Sequence, residues 1–358
     1  MRKISLVILA TLLLLTVFVS CSNEEIVDNA FTCIITFDGN AADTEEQAYQ
    51  RISKGIGIDL KGNTFTKDGF DFLWWNTQAD GSGTVYRNGQ RVWLEADLTL
   101  YAQWGHLISE ETTAWTDGQV YSFDRNLTVN ERITVSGNVT LILPDGYTLT
   151  ATKGITVNEG NSLTVNAIGE GTGTLISSGN IADYNAGIGG EYLKSAGTIT
   201  INGGNVTATG GYGGAGIGGG SSGGGGSIII NGGTVMATGF YSGAGIGGGT
   251  FGSGGTITIN GGTVTAISNM KSGTAAGIGG GGNNGSGGTI TINGGTVVAE
   301  GGPFISEGQG TAGIGGGYLN YNTGTITLGE GVVLEVSTDN ANWSDYDGTI
   351  RQRYMRTK

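Results

Sequence analysis

The sequence is poor in several residue types on which many protein classes depend. Its 358 residues include two prolines, two cysteines, one histidine and 13% charged residues. With so little proline and no Gly-x-y triplet, the 72 glycines do not indicate collagen. If Cys21 is acylated, Cys33 is the one remaining thiol, so stability is expected to come from packing rather than from disulfides, and Cys33 is expected to be buried in a strand. The net charge of −13 disfavours nucleic acid as a partner, because phosphates require basic groups.

One glycine-rich string is repeated letter for letter. GAGIGGG occupies residues 214–220 and again residues 243–249. It matches the G-x-G-x-x-G phosphate-binding loop, which needs a helix after it and an acidic residue about 20 positions further on. No helical pattern follows either copy, and no Asp or Glu lies between Glu191 and Glu300. A nucleotide site is therefore not expected.

The spacing of the copies also argues against a flexible linker. Asn202, Asn231 and Asn260 are 29 residues apart, since 231−202 and 260−231 are both 29. A Gly/Ser linker has no reason to keep such a register. A constant period of this length indicates a stacked structural repeat, and the longer later units indicate insertions in loops.

Each repeat combines alternating strands with the glycine string. One unit reads GTITINGGTVTA at residues 255–266, where Ile257 and Ile259 share one face while Thr256 and Thr258 share the other. Either a hairpin at Asn-Gly or one coil of a parallel β-helix fits this pattern. The β-helix is favoured because AGIGG is a third element with an isoleucine in register. These isoleucines are Ile188, Ile217, Ile246, Ile278 and Ile314.

The predicted fold class is all-β. A parallel β-helix is expected over residues 133–337, after a small separate β module over residues 31–104. Residues 105–132 are interpreted as a joint in which His106 is solvated, and residues 338–358 as a C-terminal cap or tail. Equivalent residues of a β-helix stack about 4.8 Å apart, so the repeated asparagines are expected to form an amide ladder at a corner with left-handed backbone. Its predicted members are Asn202, Asn231, Asn260 and Asn293.

The module resembles the Listeria–Bacteroides repeat. The motifs that carry the resemblance are TFDGN (36–40), TKDGF (66–70), WNTQADGSGT (75–84) and LTLYAQW (98–104). The resemblance implies a compact, non-catalytic β-grasp-like module of bacterial surface proteins. Within it, TEEQAYQRI at residues 44–52 is the one stretch that suggests a helical turn. Because aromatic residues dominate small cores, its core is expected to include Trp74, Trp75, Trp93 and Trp104.

Residues 133–337, through AGIGG and GTITINGG, resemble Gly-rich β-helix proteins of gut and environmental bacteria. The resemblance implies a right-handed parallel β-helix with a carbohydrate-binding or adhesin-like role. Lyases and hydrolases on β-helices need clustered carboxylates together with Arg or Lys. Here no Asp lies between Asp183 and Asp339, and no Arg lies between Arg132 and Arg351. The expectation is therefore a protein that is not an enzyme and has no cofactor or metal.

The N-terminus is interpreted as a targeting segment. Residues 1–20 form a signal peptide, in which Arg2 and Lys3 precede an apolar run that is short for a membrane span. The run ends in FVSC, which resembles a bacterial lipobox and implies lipidation of Cys21; a plain signal peptide is the alternative. Residues 21–30 form an acidic tether, which resembles the signal that directs lipoproteins to the outer face of the outer membrane. A surface-exposed lipoprotein anchored to the membrane is expected.

Aromatic residues recur beside the glycine string. Tyr212 and Tyr241 precede it, whereas Phe251 and Tyr318 follow it. Rings stack on the C–H faces of sugars, and amides bind their hydroxyls, so these four residues are predicted to bind a polysaccharide or surface glycan. Local packing is the alternative. The expected function is non-catalytic glycan binding or adhesion, with a structural or protein-binding adhesin second and a polysaccharide lyase or hydrolase third. Tyr184 and Tyr192 occupy comparable positions.

Overall fold

The computed structural model describes residues 32–44, 48–268, 273–303, 311–318, 324–337, 340–346 and 353–358. These residues form strands and no helix. The predicted signal peptide, the acidic tether and Cys21 lie outside the described residues. The chain divides into two compact units, one running to Thr66 and including Trp74–Gln103, the other comprising Lys67–Leu73 and Trp104–Lys358.

The first unit is a small β module. Its central strand, Thr32–Asp38, pairs antiparallel with Ala48–Ser53 and parallel with the strand that begins at Leu98. The indole of Trp75 is buried against Phe37 and Phe65, with ring centroids 4.9 and 6.1 Å away. Strands up to residue 107 are Thr32–Asp38, Ala48–Ser53, Ile58–Asp59, Asp71–Asn76, Val85–Tyr86, Arg91–Val92 and Leu98–Leu107.

Two expectations for this module are wrong and one is confirmed. The segment predicted as a helical turn contains the strand Ala48–Ser53, because pairing with Thr32–Asp38 outweighs local propensity. Trp93 is 63% exposed rather than in the core. Its neighbour Val92 is buried, and successive side chains of an extended chain point to opposite faces. Cys33 is fully buried within a strand, as predicted.

The second unit contains the right-handed parallel β-helix that was predicted. Each coil contributes one strand to each of three sheets. Sheet 1 contains Val120–Ser122, Asn138–Leu143, Ser162–Ala167, Thr198–Ile201, Ser227–Ile230, Thr256–Ile259, Thr289–Ile292 and Thr325–Leu328. Sheet 2 contains Leu127–Val129, Thr148–Ala151, Thr174–Ser178, Asn205–Tyr212, Thr234–Phe240, Thr263–Ser268 and Thr296–Glu300. Sheet 3 contains Ala114–Trp115, Ile133–Val135, Ile155–Thr156, Ile188–Gly189, Ile217–Gly218, Ile246–Gly247, Ile278–Gly279 and Ile314–Gly315.

The strand register rules out the hairpin alternative. Thr256–Ile259 pairs in parallel with Ser227–Ile230 and with Thr289–Ile292, which are the same segment one coil earlier and one coil later. Ile257 and Ile259 are fully buried. Equivalent aliphatic side chains therefore stack inside the solenoid and form its core. In sheet 3 the stacked residues are Ile133, Ile155, Ile188, Ile217, Ile246, Ile278 and Ile314.

The glycine after each sheet 3 isoleucine is required by backbone geometry. Gly218 has a φ of 137°, which L-residues rarely adopt. A Cβ at this position would also collide with the carbonyl of Gly247 in the next coil. Along the repeated string, the backbones of neighbouring coils therefore pack directly against each other, with no side chains between them.

The solenoid begins earlier than the sequence predicts. Ala114–Trp115, Val120–Ser122 and Leu127–Val129 lie within the segment interpreted as a joint, yet all three pair in parallel with strands of the following coil. Trp115, which pairs with Val135 of the next coil, and Phe123 are fully buried, so aromatic rings fill the core of this first coil. The aromatic filling has no 29-residue period, so the pattern of the repeats does not extend to this coil.

His106 is half-buried rather than solvated. Its ring stacks against Phe70 and Tyr121, with centroids 5.3 Å away on each side. Its Nε2 lies 2.8 Å from Oε1 of Gln119. The expectation that His106 is solvated is wrong because the rings that cover it come from other parts of the chain, which local sequence does not reveal.

The C-terminal strand covers the other end of the solenoid core. Tyr354–Thr357 pairs antiparallel with both Thr296–Glu300 and Leu334–Ser337. Met355 is buried, and its Sδ accepts a hydrogen bond of 3.1 Å from the backbone N–H of Ile314. Such a terminal strand protects stacked repeats from pairing with other chains. Leu334–Ser337 also pairs antiparallel with Ser344–Asp345, the last short strand to be named among the described residues.

Candidate aromatic binding edge

The loops before and after each sheet 3 strand are joined by hydrogen bonds. The N–H of Thr250 donates to the carbonyl of Gly213 over 2.7 Å, and the N–H of Ser221 donates to the carbonyl of Tyr184 over 2.8 Å. Each bond connects the loop before the strand in one coil to the loop after it in the next coil. We call this side of the solenoid the loop edge. It comprises residues 183–194, 211–223, 240–252, 273–285 and 311–318.

Aromatic rings from three successive coils meet on the loop edge. The ring of Tyr212 lies 4.5 Å from that of Tyr241, with planes 19° apart, and 5.5 Å from that of Tyr184 in an edge-to-face contact. Tyr192 and Phe240 extend the group, at 5.3 Å from Tyr184 and 6.3 Å from Tyr212, respectively. We refer to these five residues as the tyrosine cluster. The structure thus brings together two of the predicted ligand-binding residues, Tyr212 and Tyr241.

Stacking within the cluster limits what Tyr212 can offer to a ligand. One face of its ring contacts Tyr241, and Tyr184 also packs against it. Tyr212 is the last residue of a sheet 2 strand, and it is 36% exposed. A hydrogen bond to the side chain of Tyr241 raises the pKa of Tyr212, with smaller contributions from desolvation and neighbouring phenols. Tyr212 therefore supports the ring of Tyr241.

Four bulky side chains of the loop edge stand on left-handed backbone. Their φ values are 55° for Tyr184, 64° for Leu193, 59° for Tyr241 and 64° for Phe251, and all four side chains are exposed. This conformation costs an L-residue about 1–2 kcal/mol, whereas glycine adopts it freely. Gly213, with a φ of 75°, occupies the position of Tyr184 one coil later. Bulky residues kept at strained, exposed positions suggest a role outside the fold.

The other two predicted residues lie on the loops that follow the sheet 3 strands. Phe251 is 62% exposed, and its N–H donates to the carbonyl of Gly282 over 2.8 Å. Tyr318 is half-buried; its N–H donates to the carbonyl of Thr274 over 2.7 Å, and its carbonyl accepts from Asn284 over 2.9 Å. Both residues therefore border the same edge as the tyrosine cluster.

Sequence reasoning missed Leu193 and Phe240 on this edge. Leu193 stands one coil before Ser222 and two coils before Phe251, in the same left-handed position. The 29-residue period counted back from Phe251 would have found it. Phe240 gives no comparable signal, because it meets Tyr212 through a shift in strand register between the two coils.

A half-buried arginine lies at the N-terminal end of the loop edge. Arg132 donates from Nε to Oγ1 of Thr156 and from Nη1 to the carbonyl of Lys153, both over 2.7 Å, and from Nη2 to the carbonyl of Ala186 over 3.1 Å. Burial lowers the pKa of Arg132 to about 10, and the carboxylate of Glu191 opposes the shift. Arg132 thereby donates hydrogen bonds to backbone carbonyls near the start of the first glycine loop. The sequence gives no signal for this role, since Ala186 is 54 residues away.

The asparagines form a continuous amide ladder at the corner between sheets 1 and 2. Nδ2 of Asn231 donates to Oδ1 of Asn202 over 2.7 Å, and the same bond recurs at each step. The expectation of left-handed backbone at the asparagines is wrong. Asn231 continues the strand ladder by donating its N–H to the carbonyl of Ile201, and Gly233, with a φ of 82°, makes the turn. The ladder contains Asn166, Asn202, Asn231, Asn260 and Asn293.

The loop edge carries little charge beyond its first coil. Residues 183–194 contain Asp183, Glu191 and Lys194, but between Lys194 and Glu300 the sequence has one charged residue, Lys271, which lies outside the described residues. Within the described part of the chain, no group of three or more His, Cys, Asp or Glu side chains could hold a metal ion. The groups on offer are rings, hydroxyls, amides and backbone carbonyls. Such groups suit a ligand that stacks on rings and exchanges hydrogen bonds.

Comparisons with known proteins agree with the two-part architecture. Residues 34–103 match the family model of the Listeria-Bacteroides repeat domain. A protein of Evansella cellulosilytica, named as a Gly-rich membrane protein, is 36% identical over 76 residues, which cover 20% of this chain and 8% of that protein. No solved structure matches the chain. The family model of the Beta helix repeat matches residues 199–221, 228–250, 257–282 and 290–318.

Among the residues that the structure describes, no helix is long and apolar enough to cross a membrane.

Proposed function

We propose that this protein is a non-catalytic cell-surface protein that binds polysaccharide through its loop edge. The observation that carries the proposal is the set of exposed Tyr and Phe side chains held on left-handed backbone, a conformation that glycine would adopt without strain. A fold does not need rings at such positions. A ligand that stacks on these rings would offset the cost of the strained backbone with binding energy.

The geometry suggests a division of roles among the predicted residues. Phe251 and Tyr241 present exposed rings on which the C–H face of a sugar can stack. The ring of Tyr212 stacks against the ring of Tyr241 and supports it, and the Tyr212 hydroxyl is offered to the sugar for hydrogen bonding. Asn283 and Asn284, on the loop that follows the strand of the next coil, supply amide donors and acceptors for sugar hydroxyls.

Anchoring through a lipid on Cys21 is part of the same proposal. It is supported by the FVSC motif after the apolar run and by the resemblance of the module to repeats of bacterial surface proteins. The name of the Evansella protein, a membrane protein, is consistent with this location. In the native bacterium, the parent should fractionate with the outer membrane and be accessible to added protease on intact cells. Cys21→Ala should be released from membranes, whereas a Cys21→Ala variant that stays in the membrane fraction would contradict the lipid anchor.

Binding is tested with the chain from Ser22 to Lys358, which contains every described residue. We expect retention on at least one insoluble polysaccharide and a signal on a glycan array, with serum albumin as the unretained control. If no glycan is bound while proteins of a cell surface are captured, the polysaccharide proposal is wrong. A protein-binding adhesin would then explain the exposed rings.

A further inference from the structure

We infer that the loop edge takes an uncharged polysaccharide in an extended form, running from coil to coil along the solenoid axis. This inference rests on the proposed function and adds the chemical class and the direction of the ligand. It is carried by three observations: the charge of the edge, the distribution of rings over successive coils, and a second row that contains uncharged polar groups.

The charge of the edge disfavours acidic polysaccharides. A chain of uronic acids or sulfated sugars needs a row of Lys or Arg side chains to offset its charge. Among its described residues the loop edge offers one basic side chain, Lys194, in the same coil as the acidic Asp183 and Glu191, and the sequence between Lys194 and Glu300 adds only Lys271. At the N-terminal end of the edge, Arg132 already donates to three protein oxygens and stands beside Glu191. The chain as a whole carries a net charge of −13, which repels polyanions further.

The rings are distributed along the axis rather than around one coil. Tyr184 and Tyr192 belong to one coil, Tyr212 to the next, and Tyr241 and Phe251 to the third. Coils stack about 4.8 Å apart, so this array extends about 10 Å. A single sugar can contact only one or two of these rings. An extended chain of several sugars parallel to the axis can contact all three coils.

Uncharged polar groups recur in a second row of the loop edge that runs in the same direction. The left-handed position that holds Phe251 holds Ser222 one coil earlier and Asn283 one coil later. A hydroxyl and an amide exchange hydrogen bonds with sugar hydroxyls and do not require an ionic partner. In this row the apolar side chains of Leu193 and Phe251 therefore alternate with the polar side chains of Ser222 and Asn283 along the path of the proposed chain.

The experiment compares polymers by charge and by length, using the chain from Ser22 to Lys358. Neutral polymers are represented by a β-glucan and a mannan, and acidic ones by polygalacturonate and alginate, in affinity electrophoresis. Fragments of one to six sugars of any bound polymer are compared by calorimetry. Each measurement is repeated at ionic strengths of about 0.01 M and about 1 M, where the Debye length falls from about 30 Å to about 3 Å.

We expect a neutral polymer to bind at least about ten-fold more tightly than the acidic ones, with less than about a two-fold change between the two salt concentrations. The six-sugar fragment should bind at least about ten-fold more tightly than the two-sugar fragment, because more coils are engaged. Tight binding of an acidic polymer that salt abolishes, or equal affinity for one sugar and six, would overturn the inference. If Tyr241→Ala and Phe251→Ala weaken that binding, the proposed function survives and the inference alone fails. If the parent binds no polymer of either kind, both fail.

Discussion

The rings of Tyr212 and Tyr241 lie 4.5 Å apart with planes inclined by 19°, although the two residues belong to successive coils. Their side chains are also hydrogen-bonded, and this bond is the largest cause of the raised pKa of Tyr212. The pair therefore combines ring stacking with a hydrogen bond on an exposed edge. Each residue holds the other in place, so removal of one is expected to alter the other.

The first prediction concerns the hydrogen bond between Tyr212 and Tyr241. The pKa of Tyr212 is raised because the neutral phenol takes part in the hydrogen bond and ionisation disrupts it. Tyr241→Phe keeps the ring but removes the partner hydroxyl. We expect the titration midpoint of Tyr212 to move down towards that of an ordinary tyrosine, measured by NMR of 13Cζ-labelled tyrosines. The more distant Tyr147→Phe serves as the control, and an unchanged Tyr212 midpoint in Tyr241→Phe would show that the two hydroxyls are not bonded in solution.

The second prediction concerns the facing of the strands. Ile257 is fully buried in the stacked core, whereas Thr258 points outward. Ile257→Asp buries an unpaired carboxylate and should lower the free energy of unfolding by several kcal/mol, on the order of 3–5. Thr258→Asp should change it by less than about 1 kcal/mol. Thermal unfolding followed by circular dichroism compares them, and similar losses in both variants would mean that the register is incorrect.

The third prediction concerns the thin glycine face. Gly218→Ala places a Cβ against the next coil in a conformation that L-residues rarely adopt, so we expect a loss of about 3 kcal/mol or more. Gly203→Ala is the matched control. It has no positive φ, and its nearest neighbour would be an ordinary contact of 3.4 Å to Ala167. Chemical denaturation measures both, and a Gly218→Ala variant as stable as Gly203→Ala would remove the close backbone contact from the explanation.

Much of the regular solenoid could be predicted from sequence, for a physical reason. A parallel β-helix stacks equivalent residues, so the 29-residue recurrence of Asn202 and Asn231 directly reflects spatial neighbours. Alternation along residues 255–266 identifies the inward isoleucines without further information. The parallel arrangement followed because the glycine string supplied a third element in register.

The remaining features depend on contacts that no local pattern encodes. Trp115 and Phe123 fill the first coil with aromatic rings, so the period is absent where the solenoid begins. Arg132 acts on a carbonyl in a later coil, and a single arginine gives no pattern. At the candidate site, the sequence indicates rings beside successive coils. It does not indicate that Tyr212 is stacked against Tyr241, which depends on the rotamers of both side chains.

The most direct measurement is the retention of two variants of the chain from Ser22 to Lys358 on an insoluble polysaccharide that the parent binds. One variant combines Tyr212→Ala, Tyr241→Ala and Phe251→Ala. The matched control combines Met236→Ala and Val298→Ala, which remove exposed apolar side chains from the outer face of sheet 2. Circular dichroism checks that both are folded. At about 1 kcal/mol for each lost ring contact, the triple variant should bind about a hundred-fold more weakly. The control should bind like the parent. A folded triple variant that binds as well as the parent would show that the loop edge is not the binding site.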